Sequence, residues 1–493
     1  MEKIIYFFIL INFTLILSSN IISFELQYNT NFNNNNDISS IFSYLENIYI
    51  YSYVKIGDPE YKLKTNISVI IPHFFLSSNL EQKIENNKLD VYDINKSKTF
   101  KNISRLNQYY VQSTEDISAK EKFIINITNL DSKQNKIFIL NDMDFILGVR
   151  NSYQKNDNYS EVYFLTIGLQ LYTPSKYSQE KQFNFIFLLK EKEIISNYNW
   201  FIYYEKINLE NDILYNLDDL VNNKKNLWIG GCPHEFIPEY YSKEQLFPVY
   251  SNYFLWILEF KSVYFYRNNT KFNSGMRKQD IYHNKARLDF NYFFIYAPSL
   301  YFSLIKNEFF NTYYTRNICH YYTDSNIESI YCDKSENFNM TNLKNFPLLY
   351  FEHNEFNYTF ELSYKDLFAE KNNKYIFLIS VRTLDVDDWF FGDIFLRKYQ
   401  FVFNQDSKSI NFYNTNIDVQ REENNKKIIV INKSLDKIYI ILIICSCILL
   451  FIGIAFVVGY YINDYKSKKK KRANELDDDY EYITNKIDKN IIN

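Results

Sequence analysis

Trp389-Phe390-Phe391-Gly392-Asp393-Ile394-Phe395-Leu396-Arg397-Lys398-Tyr399-Gln400-Phe401-Val402-Phe403-Asn404 is followed, after a short polar break, by Ser409-Ile410-Asn411-Phe412. Apolar and aromatic residues crowd both pieces, and Tyr399 to Phe403 reads as a strand. In the middle stands Gly392, one of only nine glycines in 493 residues. The same texture extends upstream. Ile48 to Ile56, Lys122 to Ile127, Phe183 to Leu189, Tyr253 to Tyr266 and Tyr375 to Val381 are short runs rich in Tyr, Phe, Ile and Val. Clusters of Asn, Asp, Lys and Ser break them, and each is expected to be a strand. No convincing amphipathic helix intervenes, so the expected class is all-β.

A chain of this length exceeds one hydrophobic core, because single cores stop growing at roughly 250 to 300 residues. At least two lobes are expected. Nine glycines are few for a protein with many tight turns, so Asn, which tolerates the left-handed region, must serve many of them. Where glycine remains, the backbone should need it.

The opening stretch resembles the closing motif of pepsin-like aspartic proteases, apolar-Leu-Gly-Asp-x-Phe-Leu-Arg-x-Tyr-x-x-Val-Phe-Asp. Ser409-Ile410-Asn411-Phe412 is similar to that family's last strand, Ile-Gly-Phe-Ala. Other landmarks follow in family order. Tyr51-Ser52-Tyr53-Val54-Lys55-Ile56-Gly57-Asp58-Pro59 looks like the first hairpin, and Tyr92 to Phe100 like Phe-Asp-Pro-x-x-Ser-x-Thr-Phe. Val162 to Leu169 stands for Asp-Gly-Ile-Leu-Gly-Leu-Gly. Leu227-Trp228-Ile229-Gly230-Gly231 resembles the Leu-x-Leu-Gly-Gly ending the first lobe, and Phe254 to Leu258 the strand opening the second. Gly57, Gly168, Gly230, Gly231 and Gly392 fall on family positions; Gly148 and Gly275 do not. The resemblance implies a two-lobed fold with lobes at 46–232 and 233–415.

Aspartic proteases hold one carboxylate from each lobe close together sharing a proton, because two like charges at that distance cannot both ionise. One activates water and the other protonates the leaving group. Ala286-Arg287-Leu288-Asp289 followed by Phe293 to Pro298 resembles the second such loop, which places Asp289 on the second catalytic position. Phe290-Asn291-Tyr292 replaces the usual Ser/Thr-Gly-Ser/Thr, and Asn291 is the residue able to take up the glycine conformation. The alternative is that Asp289 is an ordinary turn residue. In the first lobe, counting from Ile56-Gly57 brings Ser68 onto the first catalytic position, with Val69 and Ile70 for Thr-Gly. No Asp occurs between Asp58 and Asp90. Phe75 falls on the family's tryptophan. The flap should lie near Tyr109 to Lys120, with Tyr109 or Tyr110 as its tyrosine and no glycine beside it.

The ends suggest a membrane. Ile4 to Leu17 has signal-peptide length, so 1–20 is expected to be removed, the alternative being an uncleaved anchor. Residues 21–45, with the Asn33 to Asn36 run, are expected to be a loose arm. Ile438 to Ile462 is long enough to span a bilayer, and the basic run Lys466 to Arg472 behind it places the tail, 463–493, in the cytoplasm. A polar stalk, 416–437, precedes the span. The chain is thus expected to be a single-pass type I protein of the plasma membrane or an endomembrane compartment. Inside the acidic tail, Tyr480-Glu481-Tyr482-Ile483 resembles a sorting signal read by clathrin adaptors, through Tyr480 and Ile483.

Sequons stand at Asn66, Asn95, Asn102, Asn126, Asn158, Asn268, Asn339, Asn357 and Asn432, all on the expected outer side. Asn66 and Ser68 share a strand face, so a glycan there is incompatible with an ordinary substrate cleft. Cys319 and Cys332 are the close pair outside the span and are expected to be bridged. Cys232 is left over. Cys232-Pro233-His234 offers two metal donors without further clustered Cys or His, so no metal site is expected.

A net charge of −3 points to neither nucleic acid nor acidic substrates. No cofactor is expected. An alcohol at Ser68 beside a lone Asp289 cannot work as a carboxylate pair. The leading expectation is therefore a catalytically inactive pepsin-like membrane glycoprotein that binds a peptide or protein partner. The alternatives are an active membrane-anchored aspartic endopeptidase and a structural surface glycoprotein.

Overall fold

The computed structural model describes residues 20–28, 37–71, 73–82, 92, 96–105, 114–129, 134–150, 159–171, 183–205, 207, 213–235, 246–251, 255–267, 270–272, 284–324, 326–353, 358–383, 388–413 and 461–469. Residues 1–416 form one compact unit and 417–493 another. In the second unit, 461–469 is helical, with Lys468 paired to Asp464 at 2.8 Å.

The first unit is mostly β. Its earlier strands are β1 (Asn20–Tyr28), β2 (Ile50–Ile56), β3 (Tyr61–Ser68), β4 (Phe75–Gln82), β5 (Lys101–Arg105), β6 (Thr114–Asn129), β7 (Gln134–Arg150), β8 (Tyr159–Gly168), β9 (Asn199–Tyr204), β10 (Tyr215–Asn216), β11 (Lys225–Ile229) and β12 (Leu246–Tyr250). Then come β13 (Ile257–Arg267), β14 (Thr270–Phe272), β15 (Lys285–Leu288), β16 (Ile295–Tyr296), β17 (Cys319–Thr323), β18 (Ile327–Asp333), β19 (Leu348–His353) and β20 (Thr359–Leu362). The last are β21 (Phe368–Lys371), β22 (Lys374–Phe377), β23 (Ile379–Arg382), β24 (Trp389–Phe391), β25 (Val402–Asn404) and β26 (Ser409–Tyr413).

Among the described residues these strands make two sheets of thirteen. One runs β12-β26-β25-β9-β11-β1-β2-β3-β8-β4-β7-β6-β5; the other runs β10-β21-β22-β18-β23-β16-β24-β15-β13-β19-β20, with β14 and β17 beside it. Alternation explains the outer strands: in β2, Ile50, Ser52, Val54 and Ile56 are buried while Tyr53 and Lys55 face water. Strands covered on both sides lose it, as in the wholly buried Ser409–Tyr413.

Several expectations change. Within the expected arm, 21–28 and 37–45 are built into the unit: β1 pairs with β11, β2 and β6, and the helix Ile38–Glu46 buries Ile41, Phe42 and Leu45, while 29–36 with the Asn run lie outside the described residues. Ile21 and Ile22 are core residues, which gives the segment the apolar burial that ordering requires. Phe183 to Leu189, expected as a strand, is instead the helix Phe185–Glu191. Asn184 starts it by accepting from Ile186 N and Phe187 N. All five residues Phe185–Leu189 are buried, so no polar stripe marks the helical period. Further short helices occur, such as Asp393–Tyr399, so helix is not absent between the strands.

Strands from either side of 232/233 share sheets. β12, β25 and β26 join the first sheet, and β10 joins the second. Left-handed backbone among described non-glycine residues falls at Asp142, Glu193, Asn317, Asn372, Asn373, Gln400 and Lys408; Asn291 does not take the glycine conformation. The disulfide Cys319–Cys332 is formed, joining β17 to β18. No helix among the described residues is long and apolar enough to cross a membrane. All of the expected signal peptide except Asn20, which begins β1, the stalk and all but the last two residues of the expected span lie outside the described residues.

Candidate functional site

Two loops of the first unit are built alike. In the first, β3 ends at Ser68 and runs parallel to β8, with Ser68 opposite Gly168. Leu169 N donates to Ser68 O at 2.7 Å, and Gln170 N to Ile71 O at 3.1 Å. A Cβ on Gly168 would overlap the carbonyl oxygens of Ile71 and His73. In the second, β15 ends at Leu288 and runs parallel to β24, with Leu288 opposite Phe391. Asp289 N donates to Phe391 O at 3.1 Å, and Asp393 N to Tyr292 O at 2.7 Å. A Cβ on Gly392 would overlap the carbonyl oxygens of Tyr292 and Phe294.

Ser68 thus stands to Ile71 and His73 as Asp289 stands to Tyr292 and Phe294. The duplication continues beyond the glycines. β4 is antiparallel to β8 and parallel to β7, while β16 is antiparallel to β24 and parallel to β23.

The loops meet. Asn291 Nδ2 donates to Ile67 O at 3.1 Å and lies 3.1 Å from Asp289 Oδ1, which also accepts from Asn291 N at 3.0 Å. Ser68 is 6 % and Asp289 3 % exposed. Burial pushes the Asp289 carboxyl up to about 6, against the two Asn291 bonds that favour its anion. Ser68 Oγ accepts from Ile70 N and Ile71 N, both at 3.3 Å, so it serves its own turn. His73, in the same loop, is buried, and burial lowers its imidazole to about 4. Beside these groups Ile70 is 54 % exposed.

Aromatic rings fill the space near Asp289. Phe290 packs edge-on to Trp200, which stacks on Phe403 with centroids 4.1 Å apart. Trp256 joins them edge-on to Trp200 and donates from Nε1 to Leu169 O at 2.8 Å. Arg382 lies over Tyr292, 5.4 Å from the ring centroid, and donates to its hydroxyl.

Phe75 is half-buried on β4, with Phe74 beside it in the core. Thr114 to Lys120 of the expected flap stretch belong to β6, which pairs antiparallel with β5, but Tyr109 and Tyr110 lie outside the described residues. Asn66, Asn102 and Asn126 are exposed. Asn339 caps the helix Met340–Lys344, accepting from Thr341 N. Asn95, Asn158, Asn268, Asn357 and Asn432, and Tyr480 and Ile483, lie outside the described residues. Asn66 and Ser68 stand two residues apart on β3, the spacing of one face, but Asn66 is exposed while Ser68 is buried.

Three clusters escape a reading by motif. Glu121, fully buried, accepts from Tyr92, Ser97 and Thr99, which gathers the Tyr92 to Phe100 signature onto β6. Lys225 Nζ lies 3.1 Å from Asp393 Oδ2, Arg397 Nη2 2.9 Å from the same oxygen, and Lys225 3.4 Å from the centroid of the Tyr28 ring. Glu235 joins Cys232 and His234 as a third donor. Glu121 and Lys225 lie far along the chain from their partners, which hides both clusters from local patterns; of the third, Cys232 and His234 stand out in the sequence, and Glu235 adds the carboxylate.

No protein-family model matches this chain. No curated protein matches it either. The chemistry therefore rests on the loops themselves. One carboxylate and one alcohol cannot share a proton as two carboxylates do, and an alcohol that caps its own turn does not replace an ionised base.

Proposed function

We propose that this chain is a pepsin-like, aspartic-protease-related protein of two lobes, held at a membrane, that does not cleave peptides and binds a peptide or protein partner. The single observation that carries this reading is the matched pair of loops, Ser68 with Gly168 and Asp289 with Gly392, joined through Asn291 and Ile67. Such a pair is what the resemblance implies for the centre of a two-lobed protease. Here it holds one carboxylate where proton sharing needs two. Exposed Ile70 and half-buried Asn291 and Tyr292 give this junction an apolar group and hydrogen-bonding groups able to meet an extended chain.

A structural role is the second reading. It is favoured by the burial of both Ser68 and Asp289 and by the rings packed around Phe290. Screening the purified full-length chain against an array of extended peptides separates the two. The binding reading expects capture that Ile70→Glu weakens at least tenfold. Absence of capture, or capture unchanged by Ile70→Glu, leaves the scaffold reading.

A further inference from the structure

We propose that the turn Cys232–Glu235 is a binding site for a zinc-class divalent cation, independent of the reading above. A thiol sulfur, an imidazole nitrogen and a carboxylate oxygen from Cys232, His234 and Glu235 lie within 4.8 Å of one another. This is the donor set that borderline-soft divalent metals take, with the thiolate selecting against calcium and magnesium. Zinc bonds of about 2.0 to 2.3 Å at tetrahedral angles place ligand atoms roughly 3.5 Å apart, so side-chain closure of about 1 Å completes the tripod.

The surroundings hold each donor as outer partners of metal ligands do. Asn199 Nδ2 donates to Cys232 Sγ at 2.9 Å, which holds the sulfur in place. The orientation of that amide is fixed from behind, because Asn199 Oδ1 accepts from Asn404 Nδ2 at 2.6 Å. His234 Nδ1 lies 2.8 Å from the Tyr413 hydroxyl, which helps to fix the ring. Glu235 Oε2 accepts from Cys232 N at 2.9 Å, so the carboxylate is folded back over the turn. Cys232 is buried among Phe201, Val402 and Tyr413, whereas Glu235 is exposed. The cation thus has an apolar floor and an entry side. A turn whose carboxylate merely caps the Pro233–Glu235 helical turn needs neither the thiol nor the imidazole.

The test uses the full-length chain, stripped with a chelator and titrated separately with zinc chloride and cobalt chloride. The site predicts one zinc per chain and, with cobalt, the charge-transfer absorption of a thiolate-bound tetrahedral ion. Cys232→Ser should abolish that band and weaken zinc more than about 100-fold, and Asn199→Leu should weaken it roughly tenfold. Glu235→Gln, on the exposed side, tests the same site without disturbing the core and should also weaken zinc. Failure of the wild-type chain to give the cobalt band, or zinc binding unchanged in Cys232→Ser or Glu235→Gln, would overturn the proposal.

Discussion

Asn291 Nδ2 donates to Ile67 O at 3.1 Å while remaining within 3.1 Å of Asp289 Oδ1. One side chain therefore ties the loop after β15 to the end of β3, 224 residues away. Asn291→Ala removes both contacts and leaves the Ile67 carbonyl without this donor. A loss of about 2 kcal/mol is expected in urea unfolding. Asn291→Gln, which keeps the amide but moves it, should recover only part.

Asp289 makes stability depend on pH. Burial lifts its carboxyl to about 6, above the ordinary carboxylate range near ~4. Between those values the folded protein keeps a proton that the unfolded chain releases. The associated stability is fully present below about pH 4 and is lost as pH rises through about 6. Asp289→Asn keeps an acceptor for Asn291 N and removes the ionisation. Against the wild type, this variant should gain on the order of 2 kcal/mol between pH ~4 and ~7.5. Urea midpoints at the two pH values measure the difference.

Asp393 is wholly buried between Lys225 and Arg397. Burial pushes the Lys225 amine down to about 7, opposed by Asp393, and the two cations hold the Asp393 carboxyl below its usual range despite burial. Asp393→Asn strands a buried guanidinium and should cost about 3 to 5 kcal/mol. Lys225→Met should cost less, because Arg397 still pairs with Asp393 and the amine is easily neutralised. Parallel denaturant titrations rank the two variants, and the opposite order would contradict this account of the cluster.

Gly168 and Gly392 should be intolerant in the same way. A Cβ at either overlaps two backbone carbonyls of the neighbouring loop, and backbone cannot swing aside as a side chain can. Gly168→Ala and Gly392→Ala are each expected to lose on the order of 3 kcal/mol or more.

These glycines show what the sequence made legible. In a chain that uses glycine so sparingly, Gly168 and Gly392 stood out before any fold was known, and both turn out to sit where backbones touch. The β2–β3 hairpin was readable from Tyr51 to Pro59 for the same reason: its signals are local. Phe185–Glu191 was not, because burial on every side erases the helical stripe. Strand β1 was hidden next to an Asn run, and its place comes from pairing with β2, β6 and β11, the last some 200 residues later. Asn291 read as a glycine substitute; its amide bridge to Ile67 depends on a tertiary contact that no spacing encodes. Asp393 stands in the opening stretch, but its partner Lys225, 168 residues away, has no motif around it.

The central claim is that Ser68 and Asp289 form a protease-like centre unable to share a proton. The most direct measurement incubates the full-length chain with unfolded protein and fluorogenic peptides across about pH 3 to 6, the range over which paired carboxylates share a proton, with and without pepstatin. The account predicts no turnover above buffer and no effect of pepstatin or of Asp289→Asn. Turnover that pepstatin inhibits and Asp289→Asn abolishes would contradict it.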